Sequence, residues 1–147
     1  YTFWKRTAAP PQMTTLDAPS RETCTVRRER TNTPLQALLL LNDVQYIEAS
    51  RALAQRTLRD GGNTDAEKIS LLFRLGTCRK PDARELSELT GELAELRKDF
   101  KANPEGARKL LRIGEMAFPP GMDPSEAAAW TILANTVLNL DEVLNKS

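Results

Sequence analysis

Histidine is absent from the 147 residues, and cysteine occurs only twice. Without imidazole the chain holds no Ser-His or Cys-His nucleophile pair, no His-ligated zinc or haem iron, and no histidine general base. Cys24 and Cys78 are too few for a four-thiolate metal site, so no metal or cofactor is expected. They supply either one disulfide, in an oxidising compartment, or two separate buried thiols. Long apolar runs are missing too. The longest, Ala37 to Leu41, falls far short of the ~20 residues that cross a bilayer. A dominant charge is also lacking: 21 basic and 20 acidic residues leave a formal +1, which gives no overall field to draw in nucleic acid or an anionic membrane. Nor does a charged start followed by an apolar stretch mark a targeting signal. The opening at Tyr1 without an initiator Met reads as an excised or processed piece.

What is present is ordinary globular material, 40% apolar and 28% charged, enough for one compact domain with a sizeable core. Two regions differ. Tyr1 to Asn32 has no helical periodicity, carries Pro10, Pro11 and Pro19, and is dense in Thr and Arg, so helix is disfavoured there. The aromatic residues Tyr1, Phe3 and Trp4 argue against simple disorder. The segment is expected to pack on the helices or on other chain, with a short extended piece around Thr23 to Val26.

From Thr33 onward the punctuation is helical. Thr33, Pro34 and Gln36 spell a cap, a first-turn proline and a capping box, and the helix they open should run to about Arg59 and stop at Gly61-Gly62. Leu35, Leu38, Leu39, Tyr46, Ala49 and Leu53 fall on one stripe, and Leu40, Val44, Ile47 and Leu58 on a second, which predicts a central, largely buried helix. Thr64 with Glu67 opens a shorter helix to about Leu75, with Gly76 placed to end it. Pro81 begins a third, where Leu86, Leu89, Leu93, Leu96 and Phe100 form one seam. Asn103-Pro104 starts a fourth, broken by Phe118-Pro119-Pro120-Gly121. Asp123, Pro124 and Glu126 start the last, with Trp130, Leu133, Val137, Leu140 and Leu144 inward. Short connections favour antiparallel neighbours.

Arg21, Arg27, Arg28 and Arg30 around Cys24 are the most unusual local feature. Their planar forks suit sulfate, phosphate or carboxylate, close to the positive end of the first helix. The structural alternative pairs them with Asp17, Glu22 and Glu29 to pin the irregular segment to the bundle. Nucleic acid is a weaker use, although Lys5 and Arg6 extend the basic set. Asn42 and Asp43 interrupt an apolar helix, so a buried structural hydrogen bond or a catalytic carboxylate at Asp43 are the competing readings. Asp17, Asp43 and Glu48 match no cation-loop spacing. Asn135, Asn139 and Glu142 offer a polar face to solvent or a partner, and Trp4 and Trp130 read as core.

The runs YTFWKRTAAPPQMTTLDAPSRETCTVRRERTNTPLQALLLLND, LFRLGTCRKPDARE and AAAWTILANTVLNLDEVL resemble the C-terminal part of the planctomycete-specific domain of unknown function found in large, exported, cytochrome-linked proteins. The resemblance covers essentially the whole chain and places its start inside the family domain. It implies an extracytoplasmic location, periplasmic or cell surface, and an upstream cytochrome module with its own haem motif. No Cys-x-x-Cys-His occurs in this chain, and the family has no accepted catalytic residues to carry across. An oxidising location favours the Cys24–Cys78 disulfide.

The expected fold is all-α: an antiparallel bundle of about five helices with an irregular, mostly extended N-terminal segment. It forms a single domain over 1–147, in which 1–32 packs on the 33–147 bundle, as the C-terminal part of a larger protein. The expected function is a noncatalytic interaction or scaffold module whose partners are neighbouring domains of the parent. The alternative is part of an enzyme or binding domain acting on anionic, sulfated or carboxylated polysaccharide, with Asp17 or Asp43 as acid or base.

Overall fold

A computed structural model of the chain describes residues 9–19, 24–27, 31, 33–119 and 121–144. Among them lie eight helices and no strand: α1 (Pro11–Thr15), α2 (Pro34–Asn42), α3 (Val44–Asp60), α4 (Asp65–Thr77), α5 (Ala83–Ala102), α6 (Pro104–Leu111), α7 (Pro124–Leu138) and α8 (Asp141–Leu144). The all-α class is as expected, with more and shorter helices than the five expected.

Side-chain caps start the helices where the sequence spells them. Thr33 with Gln36, Thr64 with Glu67 and Asp82 with Glu85 form reciprocal capping boxes that satisfy first-turn N–H groups. Asp82 is the cap of α5, so Pro81 precedes the helix rather than opening it. Asp123 caps α7 through the N–H groups of Ser125 and Glu126. Glu126 is turned to other partners.

The single long helix expected from Pro34 to Arg59 is broken at Asp43. This residue is extended (φ −68°, ψ 135°) and serves both as the last cap of α2 and the first cap of α3, accepting from the Gln45 N–H at 2.8 Å. An Asp side chain competes for nearby backbone donors, which favours caps over helix interiors. Gly76 does not end α4. The helix continues to Thr77 and closes on Cys78 in the left-handed region (φ 64°). Gly76 instead permits close packing, because a Cβ there would meet Val137 Cγ1 at 3.1 Å. The proline-rich leader does contain a helix, α1, with Pro11 in the first turn where no N–H is needed. No strand forms at Cys24 to Arg27, and Thr23 lies outside the described residues.

The centre of the molecule is α7, not the α2–α3 segment. Nine of its fifteen residues are buried, and α3, α5 and α6 all pack on it. Trp130 is fully buried among Phe73, Leu93, Leu133 and Val137, and burying so large a ring dominates a core of this size. Ala127 and Ala128 form a second apolar cluster with Ala107 and Leu111, and Phe100 touches both clusters. Two ties set α5 antiparallel to α7: Arg97 reaches Glu126, and Thr136 donates to Glu92 at 3.0 Å.

Buried polar groups lock the layers. The fully buried Ser50 and nearly buried Asn135 are linked, the Asn135 amide donating to Ser50 Oγ (3.2 Å) and the Leu40 carbonyl (3.3 Å). Asn135 thus joins α7 to α2 and α3 rather than facing solvent. Arg51, also buried, donates to the carbonyls of Leu111, Ile113 (3.0 Å) and Met116 (2.7 Å). Its neighbour Glu48 accepts from the Met116 N–H at 2.6 Å. This grip holds the segment after α6, whose last carbonyls would otherwise lack partners.

Candidate functional site

Two of the residues singled out in the sequence, Asp17 and Asp43, lie at opposite ends of the contact between α1 and α2. Gln36 is almost fully buried. Its amide donates to the Thr15 carbonyl (2.8 Å), Thr31 Oγ1 (2.9 Å) and Asp17 Oδ2 (3.1 Å). The N–H and hydroxyl of Thr31 donate to the same Asp17 oxygen, at 2.8 and 2.7 Å. Asp17 sits in the left-handed region (φ 58°), a conformation that Asp tolerates better than most residues. At the other end of α1, Gln12 donates to Asp43 Oδ2 at 2.9 Å. Helix α1 therefore runs antiparallel along α2, pinned at Gln36 and at Asp43.

Asp17 and Asp43 are not brought together. They anchor opposite ends of α1, and both oxygens of Asp43 accept structural hydrogen bonds. Asn42 is exposed and donates to the Leu38 carbonyl at 2.9 Å. Arg27 is exposed and forms no ion pair with a described residue. Arg21, Arg28 and Arg30 lie outside the described residues, as do Trp4, Lys5, Arg6, Glu22 and Glu29. The disulfide does not form: Cys24 and Cys78 are free and both exposed. Among the described residues no group of three or more His, Cys, Asp or Glu side chains is placed to hold a metal ion, and no helix is long and apolar enough to cross a membrane.

The opposite side of α2 carries the most distinctive surface. Leu35, Leu38 and Leu41 recur every three residues, and Val44 continues the row across the α2–α3 joint. Their exposures are 61%, 58%, 45% and 54%. Helix α2 (PLQALLLLN) contains no charged residue, so the row is apolar without an ionic rim of its own. The sequence pattern places Leu35, Leu38 and Val44 on buried stripes, whereas all three are exposed and Leu40 and Gln36 are the buried residues of α2. The break at Asp43 ends α2 after Asn42, and of its leucines only Leu40 is buried.

Elsewhere, a shallow cleft of about 470 Å³ at the α3–α4 turn is lined by Ser70, Leu71, Arg74 and Lys80. Its two acids are committed, Asp60 to Arg59 and Glu67 to the cap of α4. A charge network among the described residues ties three helices together. Arg97 links Asp65 of α4 (2.9 Å) and Glu126 of α7 (2.8 Å), and the Trp130 indole donates to Glu126 at 2.8 Å. The hydrogen bond from Arg97 holds Asp65 below the usual carboxylate range. Burial pushes Glu126 up, but hydrogen bonds from Arg97 and Trp130 outweigh it and leave the group lowered.

No curated protein and no solved structure matches the chain. A family model described as PSD1, protein of unknown function (DUF1553), matches residues 1–93, a stretch that contains α1 to α4 and ends at Leu93 within α5. The match stops before the AAAWTILANTVLNLDEVL segment that also carries the resemblance, but it takes in the α1–α2 pairing and the exposed leucine row whole. The chain therefore belongs to this family of unknown function.

Proposed function

We propose that this chain is a noncatalytic helical interaction module of an exported, cytochrome-linked multidomain protein, and that it docks against other parts of its parent through α2. The observation that carries the reading is the exposed row Leu35, Leu38, Leu41 and Val44 on an uncharged helix. A contiguous apolar stripe of this kind on an otherwise well-packed molecule marks an interaction surface more often than a folding defect. The carboxylates support the same view, since Asp43 and Asp17 are engaged in holding α1 and α2 in register.

The test is affinity between this module and the separately produced remainder of its parent. Leu38→Glu should weaken binding by about tenfold or more, because a buried charge at the centre of an apolar contact goes unpaired. Its own melting temperature should barely move, as expected for an exposed position. Met116→Gln, which removes another exposed apolar side chain, should leave binding intact. Equal affinity for the Leu38→Glu and unmodified modules sinks the proposal. The second reading, a domain that binds anionic polysaccharide, is supported by the exposed Arg27 guanidinium. It requires that Arg27→Ala reduce retention on a sulfated-glycan column without loss of fold.

A further inference from the structure

We propose that the cleft at the α3–α4 turn binds a small phosphate monoester, its head held by Arg74 and Lys80 and its aliphatic body resting on Leu71 and Ala66. The site is independent of the leucine row.

Space comes first. The cleft measures about 470 Å³, within the roughly 300–1,000 Å³ of small-molecule sites. One wall is the Gly61-Gly62 turn, which puts no side chain into the opening. Gly62 sits at φ 87°, and a Cβ there would meet Glu67 Oε2 at 2.8 Å, so the turn stays bare as well as tight. The other wall is the outer face of α4, where Glu67, Ser70, Leu71 and Arg74 recur at intervals of three and four.

Charge decides what fits. Four charged residues line the cleft, but its two acids are already used. Both oxygens of Asp60 accept from Arg59, at 2.7 and 3.1 Å. Glu67 Oε2 accepts from the Asn63 and Thr64 N–H groups and the Thr64 hydroxyl. The two cations are not used: among the described residues neither Arg74 nor Lys80 forms an ion pair. Arg74 in the last turn suits the negative end of α4, yet its side-chain donors stay open to a ligand. Two cations on one cleft call for a doubly charged head. A phosphate monoester carries a charge of about −1.5 to −2 near neutral pH and three strong acceptor oxygens, whereas a carboxylate offsets only one cation. The half-buried Leu71 and the exposed Ala66 methyl add an apolar floor beside the head, so an organic phosphate gains contacts that the bare ion lacks.

Nitrogen-15 amide shifts of the full chain, titrated with butyl phosphate, inorganic phosphate and valerate, test this. Butyl phosphate should shift the amides of Gly61, Gly62, Leu71 and Arg74 saturably, with a Kd on the order of millimolar. Inorganic phosphate should bind about threefold more weakly, and valerate more weakly than butyl phosphate. Arg74→Ala and Lys80→Ala should each weaken butyl phosphate about fivefold or more, while Arg108→Ala, which removes an exposed cation on α6, leaves it unchanged. Leu71→Ala should erase the preference for butyl over inorganic phosphate, a ratio that a loss of stability does not move. Shifts that never saturate, or an affinity that Arg74→Ala and Lys80→Ala leave intact, overturn the inference. An equal loss with Arg108→Ala overturns it in favour of diffuse charge attraction, and valerate binding as tightly as butyl phosphate overturns the choice of phosphate. Leu38→Glu should not alter these titrations, so this site and the docking face stand or fall separately.

Discussion

Single side chains in this protein do what usually takes a motif. Arg51 collects three carbonyls from the segment after α6, and Arg97 bridges two carboxylates on two helices. The two carboxylates of the Arg97 bridge respond to pH. Asp65 and Glu126 are both lowered in the folded state, relative to values of about 4 in unfolded chain. The folded protein thus binds fewer protons than the unfolded one near and below pH 4. The stabilisation is complete above about pH 5 and is lost as pH falls through the folded values. Arg97→Met should therefore cost about 1–3 kcal/mol at pH 7, a discounted figure because Asp65 is 38% exposed. Urea unfolding at pH 7 and pH 3 checks this. The gap between variant and parent should narrow at the lower pH, and a gap of constant size contradicts the assignment.

At the level of elements, the caps were legible because a cap is a local bargain between a side chain and the next three N–H groups. Thr33, Thr64 and Asp123 stand where their spelling places them. Breaks were harder. Nothing adjacent to Asp43 distinguishes a helix interruption from a polar residue on a continuous helix. The outcome depends on Asn135 and Gln12, which come from distant parts of the chain. Gly76 illustrates the same difficulty, since the reason for a glycine there is Val137, sixty-one positions later. Displacing the stop to Cys78 leaves a non-glycine residue at φ 64°, where an L side chain costs about 1 kcal/mol. Because Cys78 is exposed, Cys78→Gly should raise stability by about 0.5–1 kcal/mol. Differential scanning calorimetry should show a rise in melting temperature of about 3 °C, and a fall refutes the strain argument.

Across the whole molecule, the sequence supports the helical class, but not which helix is central. The apolar pattern of α2 and α3 promised burial on two stripes, whereas the alanines of α7 allow α3 and α6 to approach it closely and make it the hub. Leucine content announces hydrophobicity without saying whether the partner is the core or another segment, so the candidate surface could not be told from core before assembly. The arginine set remained a list of residue types, since only Arg27 falls within the described residues. One feature of this arrangement governs how the molecule breathes. Helix α2 is cut from α3 at Asp43, buries only Leu40 and Gln36, and takes one hydrogen bond from α7, at the Leu40 carbonyl. So few links define a separate cooperative unit whose opening costs far less than global unfolding. In deuterium, the amides of residues 37–42 should exchange well before those of 128–137, by a route that vanishes when the leucine row is occupied. Under the proposed docking, the surface that meets a partner is also the first to loosen, and its occupancy can be followed amide by amide.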